Sequence, residues 1–526
     1  MDIKLDIPSA ENLERGEFTQ IIQPPGNGSQ GVHTPLKRQI GFSRPALEIE
    51  DLPSPEEAFR VKRMGLEELI LFALGPGLIG LGFAFNSMEW LLGPLITTSF
   101  GFKGLGWLLL ISVILQVFYN VELARFTLAT GEAPIVAFGR VPPGVFIWIP
   151  LALIFLFATQ IWGDWATATG AALFSLITGR ISQPDELSTI RLLGVGLMVV
   201  VFFILLLGRK IERTLEAIQG IILVYVLLGL LLLALVVVPL NFWVEALVSW
   251  VTPAAPPGEV TPATLGAMVS FIAMASGLNF IFIGYYRDKG IGMGLKTGYL
   301  SGLVAGQQTR LSAVGKIFPE NERNSANWKR WFRYLIIDQW LIFFIGILLA
   351  ILLPSILVSY LATLPGADAP EQSTMLVYAA LRLGQRYGPI VSSWTLVAGF
   401  AILFSTQVIV MDLLARNLTD AVLGGSERLN SRIGGDPRSL YYPALIALIF
   451  IIGVLIHLNL PEQWSQILNN LPNLAAMIFP LALIYLNRQL PKPARITWWS
   501  YLVLLGNVIF FGYFFINFMR AILPGA

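Results

Sequence analysis

The chain has 526 residues, 55% of them hydrophobic and 13% charged, with a mean hydropathy of +0.69 and a formal net charge of +2. Soluble domains carry about 25% charged residues, so this composition excludes a soluble globule, and so small a net charge gives nucleic acid no footing. There is no cysteine for a disulfide, thiolate ligand or iron–sulfur cluster, and the two histidines, His33 and His457, leave no set for a histidine-based zinc or catalytic centre.

Residues 1–64 are polar, rich in Pro and Gly, and carry no apolar stretch of the kind a cleaved signal needs. They are expected to form a disordered cytoplasmic tail ahead of a transmembrane domain over 65–520. Eleven apolar runs long enough to span a bilayer follow, at about 68–100, 105–127, 145–177, 190–208, 213–240, 265–286, 333–361, 392–416, 440–459, 466–488 and 496–517. The first is interrupted. A continuous helix over 68–100 would be roughly 48 Å long, well beyond the ~30 Å hydrocarbon core, and the polar knot Asn86-Ser87-Met88-Glu89 falls inside it. The third run contains Gly163-Asp164-Trp165 and the sixth Ala273-Met-Ala-Ser-Gly-Leu-Asn279. Ser276-Gly277 is a weak helical point, since Gly costs about 1 kcal/mol against Ala.

Charge tests the count. With the N-terminus inside, the tail and the segments after the second, fourth, sixth, eighth and tenth runs hold 29 of the 35 Lys and Arg residues, as the positive-inside rule requires. Splitting the third run in two would invert everything downstream. The long connection 287–333 is expected on the cytoplasmic side, with a short amphipathic piece at the interface.

The polar residues within the runs are Asn86, Glu89, Glu122, Asp164, Ser276, Asn279, Asp338, Gln407 and Asp412. Glu122 with Arg125, and Asp412 with Arg416, have the spacing of ordinary helix-surface ion pairs. Asp338 lies beside the basic edge Arg330/Arg333, where either a boundary or an ion-handling role fits. Asp164 and Glu89 have no opposite charge within a helical turn, so each needs a partner on another helix, water or a proton. Breaks in the first run and again five runs later are the pattern of inverted-repeat transporters, whose discontinuous helices bind ions or substrate near the midplane.

These residues resemble the Nramp family of proton-coupled divalent-metal transporters. Gly75-Pro-Gly-Leu-Ile-Gly80 is similar to the family's first helix, and Asn86-Ser87-Met88-Glu89 falls on its Asp-Pro-Gly-Asn metal signature. Arg125-Phe-Thr-Leu-Ala-Thr-Gly131, Asp164-Trp-Ala-Thr-Ala-Thr-Gly-Ala-Ala172, Arg333-Tyr-Leu-Ile-Ile-Asp338 and Phe404-Ser-Thr-Gln407 resemble parts of its second, third, seventh and eighth helices. The resemblance implies an all-α LeuT-type inverted-repeat (5+5) fold of about 11 transmembrane helices, with helices 1 and 6 discontinuous. It places substrate on Asn86, Glu89, Ser276 and the Ala273 carbonyl. Asp164, Asp338 and Thr167 (where the family has Glu) fall on its ion pathway, and Asn279 and Gln407 are further pore-lining candidates. The family's metal-binding Met and its sixth-helix His are missing here. The remaining oxygen donors suit a hard cation.

The function expected is therefore a secondary transporter of a divalent metal cation, linked to protons, in the cytoplasmic membrane. The alternatives are the same fold carrying an amine or amino acid, with Glu89 binding a cationic group, and a membrane sensor that does not transport. No Walker-type loop or enzyme constellation is present, and no cofactor is expected.

Overall fold

The computed structural model describes residues 44–60, 75–85, 93–207, 210–271, 279–304, 306, 310–312, 314–365, 375–458 and 461–523. Ahead of the membrane helices lie strand β1 (Glu48–Ile49) and helix α1 (Pro55–Phe59). The first span is α2 (Pro76–Ala84) and α3 (Gly93–Phe100), and the second is α4 (Gly106–Thr130). The third is α5 (Val145–Gln160) and α6 (Asp164–Thr178), the fourth α7 (Leu187–Leu206), and the fifth α8 (Ile211–Val237) followed by α9 (Leu240–Val251). The sixth is α10 (Pro262–Phe271) and α11 (Phe280–Lys289), after which comes β2 (Lys316–Ile317). Helix α12 (Glu322–Ile337) runs through a π-helical segment, Asp338–Phe344, into α13 (Ile345–Ala362). Helices α14 (Met375–Tyr387), α15 (Pro389–Gly425), α16 (Arg438–Leu455), α17 (Glu462–Asn487) and α18 (Trp498–Ile522) complete the domain.

Among the described residues nine helical stretches are long and apolar enough to cross a membrane. They correspond to the second to fifth and seventh to eleventh predicted runs; the two interrupted runs account for the rest. Helices must carry the crossing, because hydrocarbon offers backbone N–H and C=O groups no other partner. The burial of each stretch sorts core from rim. At least two-thirds of the apolar window is buried in α4, in α12–α13 and in α15, against under a third in α7, α8 and α16. All nine residues of α2 and most of α11 are buried as well. The interrupted spans therefore stand at the centre. Glycine permits the closest rim contact: a Cβ on Gly170 or Gly194 would overlap the facing backbone carbonyl of Ile190 or Ala166, so α6 and α7 touch main chain to main chain.

The segments predicted to share one side are bonded to one another there. Arg44 pairs with Glu132, after the second span, and reaches Gly424 O at the end of α15. Gly315 N–H donates to the same Glu132 (2.8 Å), Val304 N–H to Leu206 O (2.9 Å), Leu311 N–H to Gly435 O (2.9 Å) and Lys492 N–H to Glu320 (2.6 Å). On the opposite side the Trp107 indole donates to Ala254 O. The alternation requires the third run to cross once. It does so with a break at residues 161–163, where Gly163 at φ 76 opens α6.

Residues 44–60, expected within a disordered tail, instead form an ordered arm. β1 pairs in parallel with β2, Leu52 is buried, and Trp331 donates to Pro53 O (2.8 Å). A polar, Pro-rich composition hides such anchors because only a few of its residues make them. The amphipathic piece expected in the 287–333 connection is α12, which buries Trp328, Trp331 and Tyr334.

Candidate functional site

The site is built where the central half-helices meet. Gly75, in extended backbone, sets the start of α2, and Pro76 occupies its first turn, where the missing N–H costs nothing. The helix stops at Phe85, whose ψ of 67° is not helical. α11 begins at Asn279. The two pack on each other at Gly80, where a Cβ would lie 2.9–3.2 Å from the Phe282 ring. The predicted substrate residues Asn86, Glu89, Ala273 and Ser276 belong to the segments leading on from α2 and into α11, and lie outside the described residues.

Beside this junction the interior is lined by carboxamides. Asn279 Nδ2 donates to Asn120 Oδ1 on α4, and Gln116 sits one turn earlier on the same face of that helix. All three are fully buried, and Asn279 Oδ1, Asn120 Nδ2 and both polar atoms of Gln116 have no partner. Gln219 of α8 packs against Gly82 and donates to Ser405 O (3.2 Å). Gln407 instead turns to the fourth span, donating to Gly194 O (2.9 Å). Of the two amides named from sequence, Asn279 borders the junction and Gln407 faces α7. Gln116 and Asn120 escaped notice there because nothing local separates them from ordinary helix polar residues.

Asp338, beside the basic edge, is completely buried. It opens the π-helical segment, a departure common at functional sites. Its Oδ2 accepts from Gly77 N–H at the start of α2 (2.9 Å), from the Tyr286 hydroxyl of α11 and from Gln339 Nε2 (3.4 Å), while Oδ1 has no hydrogen-bond partner. The Lys289 ammonium, paired with Glu216 of α8, is adjacent. Asp164 and Thr167 lie elsewhere, on α6, which packs on α7 and α15. Asp164 occupies the exposed first turn of α6, where a helix N-terminus favours a carboxylate. Its opposite charge is Arg191, on α7.

Both pairs predicted as helix-surface contacts are buried. Glu122 binds Arg125 through two bonds of 2.9 Å and also accepts from Asn487 (3.1 Å) and Ser500 (2.6 Å). Asp412 accepts from Arg416 (2.8 Å), Tyr285 (2.6 Å) and Tyr441 (2.5 Å), and Arg416 also pairs with Asp288, itself bound by Arg287, which reaches Asp420 (2.8 Å). The spacing rule finds the partners correctly, but i, i+4 geometry carries no information on what covers the pair. Among the described residues no group of three His, Cys, Asp or Glu side chains is placed to hold a metal ion.

No protein-family model matches the sequence, and neither does any curated protein. Solved structures do match in fold. MhsT in complex with L-phenylalanine superposes with a TM-score of 0.52 at 14% identity, over 84% of this chain and 98% of that one. Mhp1, a nucleobase-cation-symport-1 family transporter in a closed conformation with bromovinylhydantoin bound, gives 0.49 at 14%, over 86% and 91%. A manganese transporter of Eremococcus coleocola gives 0.49 at 16%, over 91% and 92%. At such identities the likeness concerns architecture. The chain is a multi-pass, all-α membrane protein with the LeuT-type inverted-repeat fold.

Proposed function

We propose that the chain is a secondary active transporter whose substrate site lies at the junction of α2 and α11, whose adjoining segments carry Asn86, Glu89, Ala273 and Ser276. The observation that carries this reading is the packing of those two half-helices on each other at Gly80 and Phe282, in the buried centre of the bundle. Helix ends at that depth leave N–H and C=O groups free for a ligand. In this reading Asn86, Glu89, Ser276 and the Ala273 carbonyl supply oxygen donors and one negative charge, a set suited to a hard divalent cation. Asp164, Thr167 and Asp338 belong to the path of a coupled ion. The arm-bearing face, where the basic segments gather, is the cytoplasmic one.

The test is uptake of Mn²⁺, Mg²⁺ and Ca²⁺ into liposomes holding the purified protein, followed by an internal metal dye with a pH dye alongside. Metal entry that is lost in Glu89→Gln is the expected result. Absence of flux for all three ions, with Glu89→Ala leaving metal binding unchanged, contradicts it.

A second reading, a small organic solute, has its own observation. Whichever way the amides of Gln116, Asn120 and Asn279 are turned, unpaired N–H donors remain beside the junction. A cation needs acceptors only, whereas a carboxylate would use the donors and an amide solute both. Solute uptake that is abolished in Asn120→Leu while metals fail to enter would establish this reading over the first.

A further inference from the structure

Among the described residues several acids gather around the start of α2. Asp338 is approached by Lys289 and Tyr286 from α11, by Tyr334 from α12, by Gln339 from its own segment and by Glu216 from α8. Glu216 pairs with Lys289, and Glu212, one turn before it, lies within hydrogen-bond reach of Glu216. Lys210 faces Glu212 and donates to Asp288 O (3.1 Å). Among the described residues three carboxyl groups, Asp338, Glu212 and Glu216, thus share Lys289 and Lys210; Asp288 and Arg213 also face Lys210, and Asp288 has its own cations in Arg287 and Arg416. Carboxylates one helical turn apart repel when both are ionised, so the pair favours holding a proton. Asp338 Oδ1 and Glu212 Oε1, both buried, have no hydrogen-bond partner. The cluster has room for a further proton.

The same cluster holds a movable part. α2 is nine residues long and is bounded by non-helical backbone at both Gly75 and Phe85, the points at which it can pivot. In its first turn Pro76 has no N–H and Leu78 N–H is bonded to Gly75 O (2.8 Å), so Gly77 N–H is the donor that binds Asp338 (2.9 Å). A Cβ on Gly77 would come within 2.7–2.8 Å of all three carboxyl atoms, so only glycine allows this approach. An ionised carboxylate draws the N-terminus in through charge and dipole, and a protonated one does so far less.

We propose that Asp338 is a proton-binding site and that its ionised form latches the start of α2 to the sixth and seventh spans, closing the arm-bearing side of the transporter. The proton comes from water at that face through Glu212 and Glu216, and its arrival on Asp338 weakens the bond to Gly77. The proposal rests on the transporter reading but not on the identity of the substrate.

The chain has no cysteine, so a single Leu78→Cys, on α2 and packed against Gly220 of α8, is a unique reporter. The full-length protein in lipid nanodiscs is labelled with a maleimide, and rates are normalised at each pH to a variant with the exposed Ile390 replaced by cysteine. Asp338→Asn, Tyr286→Phe and Gly77→Ala are each expected to speed labelling about tenfold at pH 8, the factor that loss of one charge-assisted hydrogen bond gives. The parent is expected to quicken as pH falls from 8 to 5, and Asp338→Asn to be fast throughout. Gly77→Ala acts by bulk alone and leaves every titratable group in place, so it tests the latch separately from the charge. Slow labelling in both Asp338→Asn and Gly77→Ala overturns the latch, and a pH response that survives in Asp338→Asn overturns the proton site. No substrate flux enters the readout, so a protein that carries neither metal nor organic solute in liposomes yet still shows the pH-dependent labelling refutes the transporter reading and not the latch.

Discussion

Two buried acids on the arm-bearing face, Glu132 and Asp338, differ in how they are compensated. Glu132 lies between two arginines: Arg140 binds it through Nε and Nη2 at 2.8 and 2.6 Å, and Arg44 of the arm at 3.3 Å. Gly315 N–H adds a fourth bond at 2.8 Å. Burial pushes the Glu132 carboxyl up, but Arg140 and Arg44, with the help of Gly315, outweigh it and hold the group at about 2. Among the described residues Asp338 is faced by Lys289, which also pairs with Glu216, and by no guanidinium, and its Oδ1 is without a hydrogen bond. The first arrangement is a clamp, saturated by fixed charge. The second leaves capacity for a proton. The lesson is that burial alone does not make a carboxyl group responsive; the number of fixed cations around it decides.

The largest effect should come from emptying the clamp. Glu132→Ala leaves Arg44 and Arg140 buried without a counter-charge, which costs about 3–5 kcal/mol; loss of the monodisperse species in detergent chromatography, or a much lower melting temperature, is the expected result. Wild-type-like stability would end the distinction drawn here. The clamp should also resist acid. Its carboxyl is depressed from an ordinary 4.5 to about 2, so its stabilisation is complete above the ordinary value and is lost as pH falls through about 2. Limited proteolysis within residues 44–60 should therefore be unchanged between pH 8 and 5.

Arg44→Ala is the next step down. It removes one of the two cations together with the bond to Gly424 O, costs about 1–3 kcal/mol, and should expose the arm to protease while the membrane helices keep their fold. Tyr286→Phe removes one donor from Asp338 and should cost about 1 kcal/mol in thermal melts, of the same order as its effect on labelling at Leu78→Cys. The smallest effect belongs to Arg180 and Glu186, a solvent-exposed pair on the other face. Arg180→Ala should leave the melting temperature unchanged, because exposed ion pairs contribute little; a clear drop would mean that fixed charge on that face is structural too.

How far the sequence carries is clearest residue by residue. The spans were legible because hydrocarbon imposes one solution on a long apolar run, and α12 because a charged face alternates with Trp328, Trp331 and Tyr334. Glu122–Arg125 and Asp412–Arg416 were legible as pairs and not as buried ones. The clamp was not legible at all: Arg44 and Glu132 are 88 residues apart, and no local pattern links an arm residue to a loop after the second span. Asp338 was visible as an acid near a basic edge, yet the Gly77 N–H it binds is 261 residues away, and the π-helical turn that aims it leaves no mark on composition. Asn279 lies at the start of α11 against Asn120, and Gln407 faces α7, contacts that no local pattern in the sequence marks.

Amide hydrogen exchange, followed by mass spectrometry on the intact protein at pH 8 and pH 5.5 and corrected for intrinsic rates, tests the contrast most directly. The account predicts that protection of residues 76–84 falls at the lower pH while that of residues 44–60 and of the Gly315 amide stays constant. Equal loss at both places, or no change in residues 76–84, would contradict it.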